Sequence, residues 1–225
     1  MPQTQFGSMT NLSKLTLTAI SGALAAALPA VALMTPVPAV AQSAGTLEQA
    51  IGALRAISTM RANFTQTDRS GKTVSGVMTL KRPGRIRFEY AKSVNMLIVS
   101  DGKSLTLIDY EVGKKQRWPI GNSPLGALLD PNRDVTKYGR LIPTSNPNVV
   151  SVEVKDPRKP EYGTMSLIFV RNPSAPGGLE LNSWVALDAQ NRRTTVRLSN
   201  QRYGLAVPDS TFTYADPTRH LGPQH

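Results

Sequence analysis

The chain of 225 residues contains no cysteine, so disulfides, thiolate-bound metals and a lipid anchored on an N-terminal cysteine are all excluded. Its two histidines, His220 and His225, lie in a polar tail, which leaves little for a histidine metal site or a histidine-dependent catalytic triad. Aromatic residues make up only 6% of the chain, and Asp plus Glu number 15 against 26 Lys plus Arg. The resulting net charge of +11 favours anionic partners without naming one. Arg85, Arg87, Arg117, Arg192, Arg193 and Arg197, with Lys114 and Lys115, are candidates for steering toward acidic surfaces or anionic headgroups. Few aromatics and the absence of a recognisable motif argue against nucleic-acid binding.

Long apolar stretches are confined to the N-terminus. Lys14 precedes a run from Leu15 to Met34, and Ala39-Val40-Ala41 supplies the small-x-small pattern of a signal peptidase site. The run is near the lower length limit for a membrane span. Pro29, Pro36 and Pro38 and the high alanine content favour a secretory signal over residues 1–41, cleaved after Ala41, with translation starting at Met1 or Met9. Residues 42–225 then form one exported, soluble domain, periplasmic in a disulfide-free chain, with an irregular tail over 215–225.

The remaining sequence carries one clear helical stripe. Thr46 and Gln49 have capping-box spacing, and Leu47, Ala50, Ile51, Leu54 and Ile57 recur at helical intervals. From about Asn63 the period becomes two: Met78 and Leu80, then Ile86, Phe88 and Tyr90, alternate with polar residues. Strands are expected over 95–100 and 104–110, joined by a turn at Asp101-Gly102, and then over 115–120, 149–155, 164–171, 180–187, 193–200 and 211–214. So many short strands imply a large antiparallel sheet. Ser123-Pro124 followed by Leu125, Leu128 and Leu129 reads as a short capped helix stopped at Asp130-Pro131.

Met96-Leu97-Ile98-Val99 and Leu167-Ile168-Phe169-Val170 are apolar in both alternating sets, so both faces of those strands need cover. Periodicity leaves open whether the interior is filled or hollow. Trp118 and Trp184 are candidates for a mouth, with ordinary burial as the alternative. An enzyme acting on cell-wall glycans would need a carboxylate pair drawn from Glu89, Asp101, Asp109 and Glu111, but no acid/base spacing stands out.

Three separated blocks then carry a resemblance. Asn63-Phe64-Thr65-Gln66, Gly76 to Leu80 running into Lys81-Arg82-Pro83-Gly84-Arg85-Ile86-Arg87-Phe88-Glu89-Tyr90, and Val99-Ser100-Asp101-Gly102-Lys103-Ser104-Leu105 ahead of the Ser-Pro-Leu segment resemble the LolA family of outer-membrane lipoprotein carriers. The resemblance is strong over about residues 47–130 and weaker to Tyr214. It implies an unclosed antiparallel β-barrel of about eleven strands, a mainly β fold with a helical lid over an apolar cavity. The implied cargo is the acyl chains of triacylated lipoproteins. The implied partners are an inner-membrane lipoprotein-releasing ABC transporter and an outer-membrane receptor, and a monomer needing no cofactor suffices. That receptor, of similar fold, is itself a lipoprotein, so a chain without cysteine fits the soluble carrier. A lipid-sensing module of the same fold is the alternative, and a glycan hydrolase the weaker one.

The physics calls for such a device. One acyl chain of roughly 15 methylenes prefers an apolar cavity to water by about 12 kcal/mol. On the resemblance, Arg82 is the arginine that hydrogen-bonds the lid helices in the closed, empty state. The cavity candidates are Met78, Leu80, Ile86, Phe88, Tyr90, Leu97, Val99, Leu105 and Leu107, with Leu125, Leu128 and Leu129 from the lid. Met78 and Met96 would give the lining an adaptable surface.

Overall fold

The helical stripe and the period-two segments both form, in the order helix first and sheet after. The computed structural model describes residues 41–120, 126 and 135–217, all within the unit Pro38–His225. Helix α1 is Ala41–Ala56 and buries Ala50, Ile51, Ala53 and Leu54, with Ile57 just beyond it. It begins five residues before Thr46, so the helix starts earlier than the capping-box spacing implied. Residues 1–40 of the expected signal segment 1–41, the lid residues Leu125, Leu128 and Leu129, and positions beyond 217 lie outside the described residues.

The strands are β1 Thr59–Thr67, β2 Thr73–Lys81, β3 Arg85–Tyr90, β4 Met96–Ser100, β5 Ser104–Asp109, β6 Lys114–Pro119, β7 Gly139–Ile142, β8 Val149–Val154, β9 Thr164–Arg171, β10 Leu179–Leu187 and β11 Arg193–Tyr203. They pair antiparallel in one sheet ordered β6-β5-β4-β3-β2-β1-β11-β10-β9-β8-β7. The edges β6 and β7 are not bonded to each other, so the sheet is open, as expected. Strand β7 was not foreseen from the sequence. The strand expected over 211–214 is replaced by a 3-10 turn, Asp209–Phe212, in a C-terminal strap.

Aromatic contacts reveal the curl. Phe88 on β3 and Trp184 on β10 have ring centroids 6.1 Å apart, although four strand intervals separate them in the sheet order. A flat sheet would hold those strands about 19 Å apart. The sheet therefore bends so that β3 and β10 face each other across Phe64 of β1, whose ring lies edge-to-face on Phe88 at 5.2 Å and on Tyr90 at 5.0 Å. We call this the inner face. It also carries Met60, Met78, Leu80 and Ile86, and, on the other wing, Val152, Leu167 and Leu181, all buried in one cluster with the apolar side of α1.

Helix α1 sits over β7, β8, β10 and the loop before β10. Gly177, at φ 68°, allows the approach: a Cβ there would stand 2.7 Å from the Ala53 Cα. Arg171 adds a polar tie by donating through Nη1 to Gln49 Oε1 at 3.3 Å.

Candidate lipid-binding face and its latch

The two turns that carry the sequence resemblance pack against each other. The Arg82–Pro83 peptide is cis, and Gly84 follows at φ 71° with the Gly102 Cα where a side chain would otherwise begin. Ser100, fully buried, donates from Oγ to the Gly84 carbonyl at 2.7 Å and accepts from the Gly102 N–H at 3.0 Å. Asp101 Oδ1 accepts from the N–H groups of Lys103 and Ser104, a turn-closing role. These bonds hold the β2–β3 turn in place and with it Arg82.

Arg82 is half-buried and donates from Nε to the Ile57 carbonyl at 2.9 Å, while its backbone N–H donates to the Ser58 carbonyl at 2.9 Å. Ile57 directly follows α1, so a guanidinium meets the end of a helix where carbonyls lack intrahelical donors and the dipole is negative. Its planar set of donors suits such a contact better than a lysine would.

The cavity candidates separate into two faces. Met78, Leu80, Ile86, Phe88 and Tyr90 occupy the inner face and are packed against Phe64, Trp184 and their neighbours. Tyr90 keeps its hydroxyl satisfied by Gln66 Oε1 at 2.7 Å, and burial pushes its pKa up to about 12. Leu105 and Leu107 share the inner face with Met96 and Ile98, and all four are half-buried. Leu97 and Val99 do not belong with them. Phe88 pairs with Ile98, and Leu97 and Val99 pair with Ile108 and Thr106, so both point to the outer face, 3% exposed beside Ile108 at 0%. The reason is register: with Ser100 opposite Leu105, odd-numbered residues of β4 lie opposite even-numbered residues of β5, so Leu97 and Leu107 cannot share a face.

The outer-face cluster is covered by the strap. Phe212 and Tyr110 pack on Leu97, Val99 and Ile108. Lys81 Nζ donates to the Val207 carbonyl at 2.7 Å and pairs with Asp209 at 2.6 Å, Arg85 also pairs with Asp209, and Arg87 Nη1 donates to the carbonyls of Thr211 and Thr213 at 3.3 and 3.0 Å. The two cations hold the Asp209 carboxyl at about 2, below its usual range. Phe212 falls in the segment expected as a strand over 211–214, and nothing in that pattern signals its packing on the outer face of β4 and β5.

The tryptophans divide likewise. Trp184 is buried on Phe88, whereas Trp118 pairs with Leu105 at edge strand β6 and remains 44% exposed. Met96, Ile98, Leu105, Leu107 and Trp118 thus form an incompletely covered apolar strip on the inner face. Three of the four carboxylates considered for glycan chemistry are occupied elsewhere: Asp101 also pairs with Arg117 at 2.7 Å, Asp109 Oδ1 closes the next turn by accepting from Glu111 N–H, and Glu89 pairs with Arg87 at 3.2 Å. Among the described residues no three His, Asp or Glu cluster for a metal, and no helix is long and apolar enough to cross a membrane.

The chain is similar to an outer-membrane lipoprotein carrier protein of Chromobacterium violaceum, at 31% identity over 71% of this chain and 78% of that protein. It is 26% identical to the one of Bordetella avium, over 85% of this chain and 93% of the relative. Among solved structures, a LolA superfamily protein from Nitrosomonas europaea aligns at 12% identity with a TM-score of 0.44, covering 76% of this chain and 97% of that one. The model of the family described as outer membrane lipoprotein carrier protein LolA matches residues 55–215. That span runs from the end of α1 to the strap, and the chain belongs to the LolA family of outer membrane lipoprotein carrier proteins.

Proposed function

We propose that this protein is a periplasmic carrier that shelters the acyl chains of triacylated lipoproteins on its inner face and moves them from an inner-membrane ABC transporter to an outer-membrane receptor. The observation that carries this reading is the strip Met96, Ile98, Leu105, Leu107 and Trp118: large apolar side chains on the inner face, next to a filled core yet still reached by water. A sheet that curls but stays open lets such a strip take up a flexible chain without unfolding. Binding and release need no covalent chemistry, so the role is that of a carrier and not of an enzyme, and it needs no cofactor. The signal segment ends at Ala41, and the mature protein begins at Gln42.

Arg82 serves as the latch. Its bond to the Ile57 carbonyl holds the end of α1 while the interior is empty, and cargo that displaces α1 must break it. Cargo binding is therefore opposed by a few polar contacts, which keeps affinity low enough for transfer onward.

Native mass spectrometry of protein taken from the periplasm, before and after incubation with a triacylated lipoprotein, tests the reading. A mass starting at Gln42 and a one-to-one adduct, lost when the acyl groups are removed, is the expected result. No adduct on a folded protein would overturn the carrier reading. An adduct that never passes to acceptor membranes would favour a lipid sensor.

A further inference from the structure

Most arginines singled out by charge alone are already neutralised. Arg85, Arg87, Arg117 and Arg192 pair with Asp209, Glu89, Asp101 and Asp188. On the outer face of the two central strands the pattern differs. Arg61 of β1 and Arg202 of β11 are direct cross-strand partners, both exposed, and Arg197 and Arg193 continue the row along β11. Among the described residues no carboxylate pairs with any of the four. In the ladder Arg61 lies opposite Thr79 and Arg197 lies opposite Thr65 and Ser183, hydroxyls with no acid among them, whereas Arg193 lies opposite Leu187 at the end of the row that Asp68 and Asp188 also border.

Two further features mark the place. The ladder slips between Arg61 and Asn63, where β11 carries an extra residue and Asn200 adopts φ 53°, and beside the slip lies a concavity of about 560 Å³ lined by Arg61, Asn63, Asn200 and Arg202. Like charges directly opposite each other in a sheet, with Cβ atoms about 5 Å apart, are destabilising. A fold that keeps such a pair beside a polar hollow is poised for an anion that bridges both guanidiniums. The row from Arg193 to Arg202 extends for about 28 Å, far longer than one small anion.

We propose that this arginine face binds the phosphate groups of anionic phospholipids at a membrane surface, with Arg61 and Arg202 clasping one headgroup at the bulge. An acidic protein is a poorer match. Protein interfaces are anchored by large apolar side chains, and the exposed ones described, Val112, Trp118 and Tyr214, lie on or beside the distant β5–β6 edge. The face is opposite the one proposed for acyl chains, so the inference stands whether or not that reading does, and vesicles free of lipoprotein suffice to test it.

Protein expressed as the full chain and purified from the periplasm is floated with phosphatidylcholine vesicles, with or without about one-third phosphatidylglycerol. Binding is expected only with phosphatidylglycerol and should weaken as salt is raised. Arg61→Gln with Arg202→Gln should lower the partition about tenfold, and Arg197→Gln alone about threefold. Lys92→Gln with Lys155→Gln removes the same charge from other exposed positions without an ion-pair partner and should change it less than twofold. Thermal melting should give the Arg61/Arg202 variant a midpoint equal to or above that of the native protein, which separates lost binding from lost folding. Equal losses in the two double variants, or equal binding to uncharged vesicles, would overturn the proposal. Saturable binding of inorganic phosphate that disappears with Arg61 and Arg202 would assign the hollow to a free anion and overturn the membrane reading.

Discussion

Strands β4 and β9 carry nearly the same apolar run, yet the molecule covers them in opposite ways. On β9 the inner side chains Leu167 and Phe169 are dry beneath α1, and the outer ones, Ile168 and Val170, are half-exposed. On β4 the outer Leu97 and Val99 are dry beneath the strap, and the inner Met96 and Ile98 are left half-covered. An apolar strand needs cover, but which face receives it depends on what the chain lays across it. One wing is a closed core. The other turns its core outward and leaves its inner face half-covered, the arrangement that the proposed carrier role would use.

The sharpest way to break this contrast is at the shared centre. Phe64→Ala removes the ring on which Phe88 and Tyr90 stack and should cost about 4 kcal/mol, read as a large fall in the chemical-denaturation midpoint of the whole domain. Phe212→Ala attacks the strap wing alone. It should cost about 2 kcal/mol and speed amide exchange on β4 and β5 while leaving β8 and β9 unchanged. Loss of protection on β8 and β9 as well would mean that the two wings are one cooperative unit.

Arg82→Leu tests the join between helix and sheet. With its hydrogen bond to the Ile57 carbonyl gone, stability should fall by about 1.5 kcal/mol, and α1 should exchange faster than the sheet. Lipoprotein transfer should change while the fold persists, and unchanged transfer by a folded variant would remove Arg82 from the mechanism. Leu107→Ala should cost only about 1 kcal/mol, because the side chain is half-exposed, yet it should weaken the lipoprotein adduct measurably. A core-sized stability loss there would show that the strip is packed and not available.

The smallest effect is in acid. Because Asp209 has its pKa depressed to about 2 in the folded protein, its pairing with Arg85 and Lys81 stabilises the strap above the ordinary carboxylate range and is lost as pH falls from about 4 through 2. Native protein and Asp209→Asn should therefore differ in melting temperature near pH 6 and converge near pH 2. A constant difference across that range would show that the carboxylate charge does not hold the strap.

Part of the inner face is legible in the chain alone because its signals are local. The alternation through Met78, Leu80, Ile86, Phe88 and Tyr90 placed one face of β2 and β3 correctly, and the Lys-Arg-Pro-Gly block marked the turn that presents Arg82. Leu97 and Val99 went to the wrong face because parity does not pass from strand to strand without the loop register, and a shift of one residue reverses every side chain. Strand β7 has only four residues, too few for a period to show. Arg61 and Arg202 stand 141 positions apart and become a pair only through the β1–β11 ladder.

Periodicity and the conformational limits of Gly and Pro act over a few residues, so the chain alone dictates the class of fold, the number of short strands to within one exchange, and the turn chemistry around Arg82. Which apolar face is half-covered, which arginines of β1 and β11 lack a carboxylate among the described residues, and where the strap lies come from long-range packing. Those depend on loop register and on contacts between residues more than a hundred positions apart, and no local pattern encodes them.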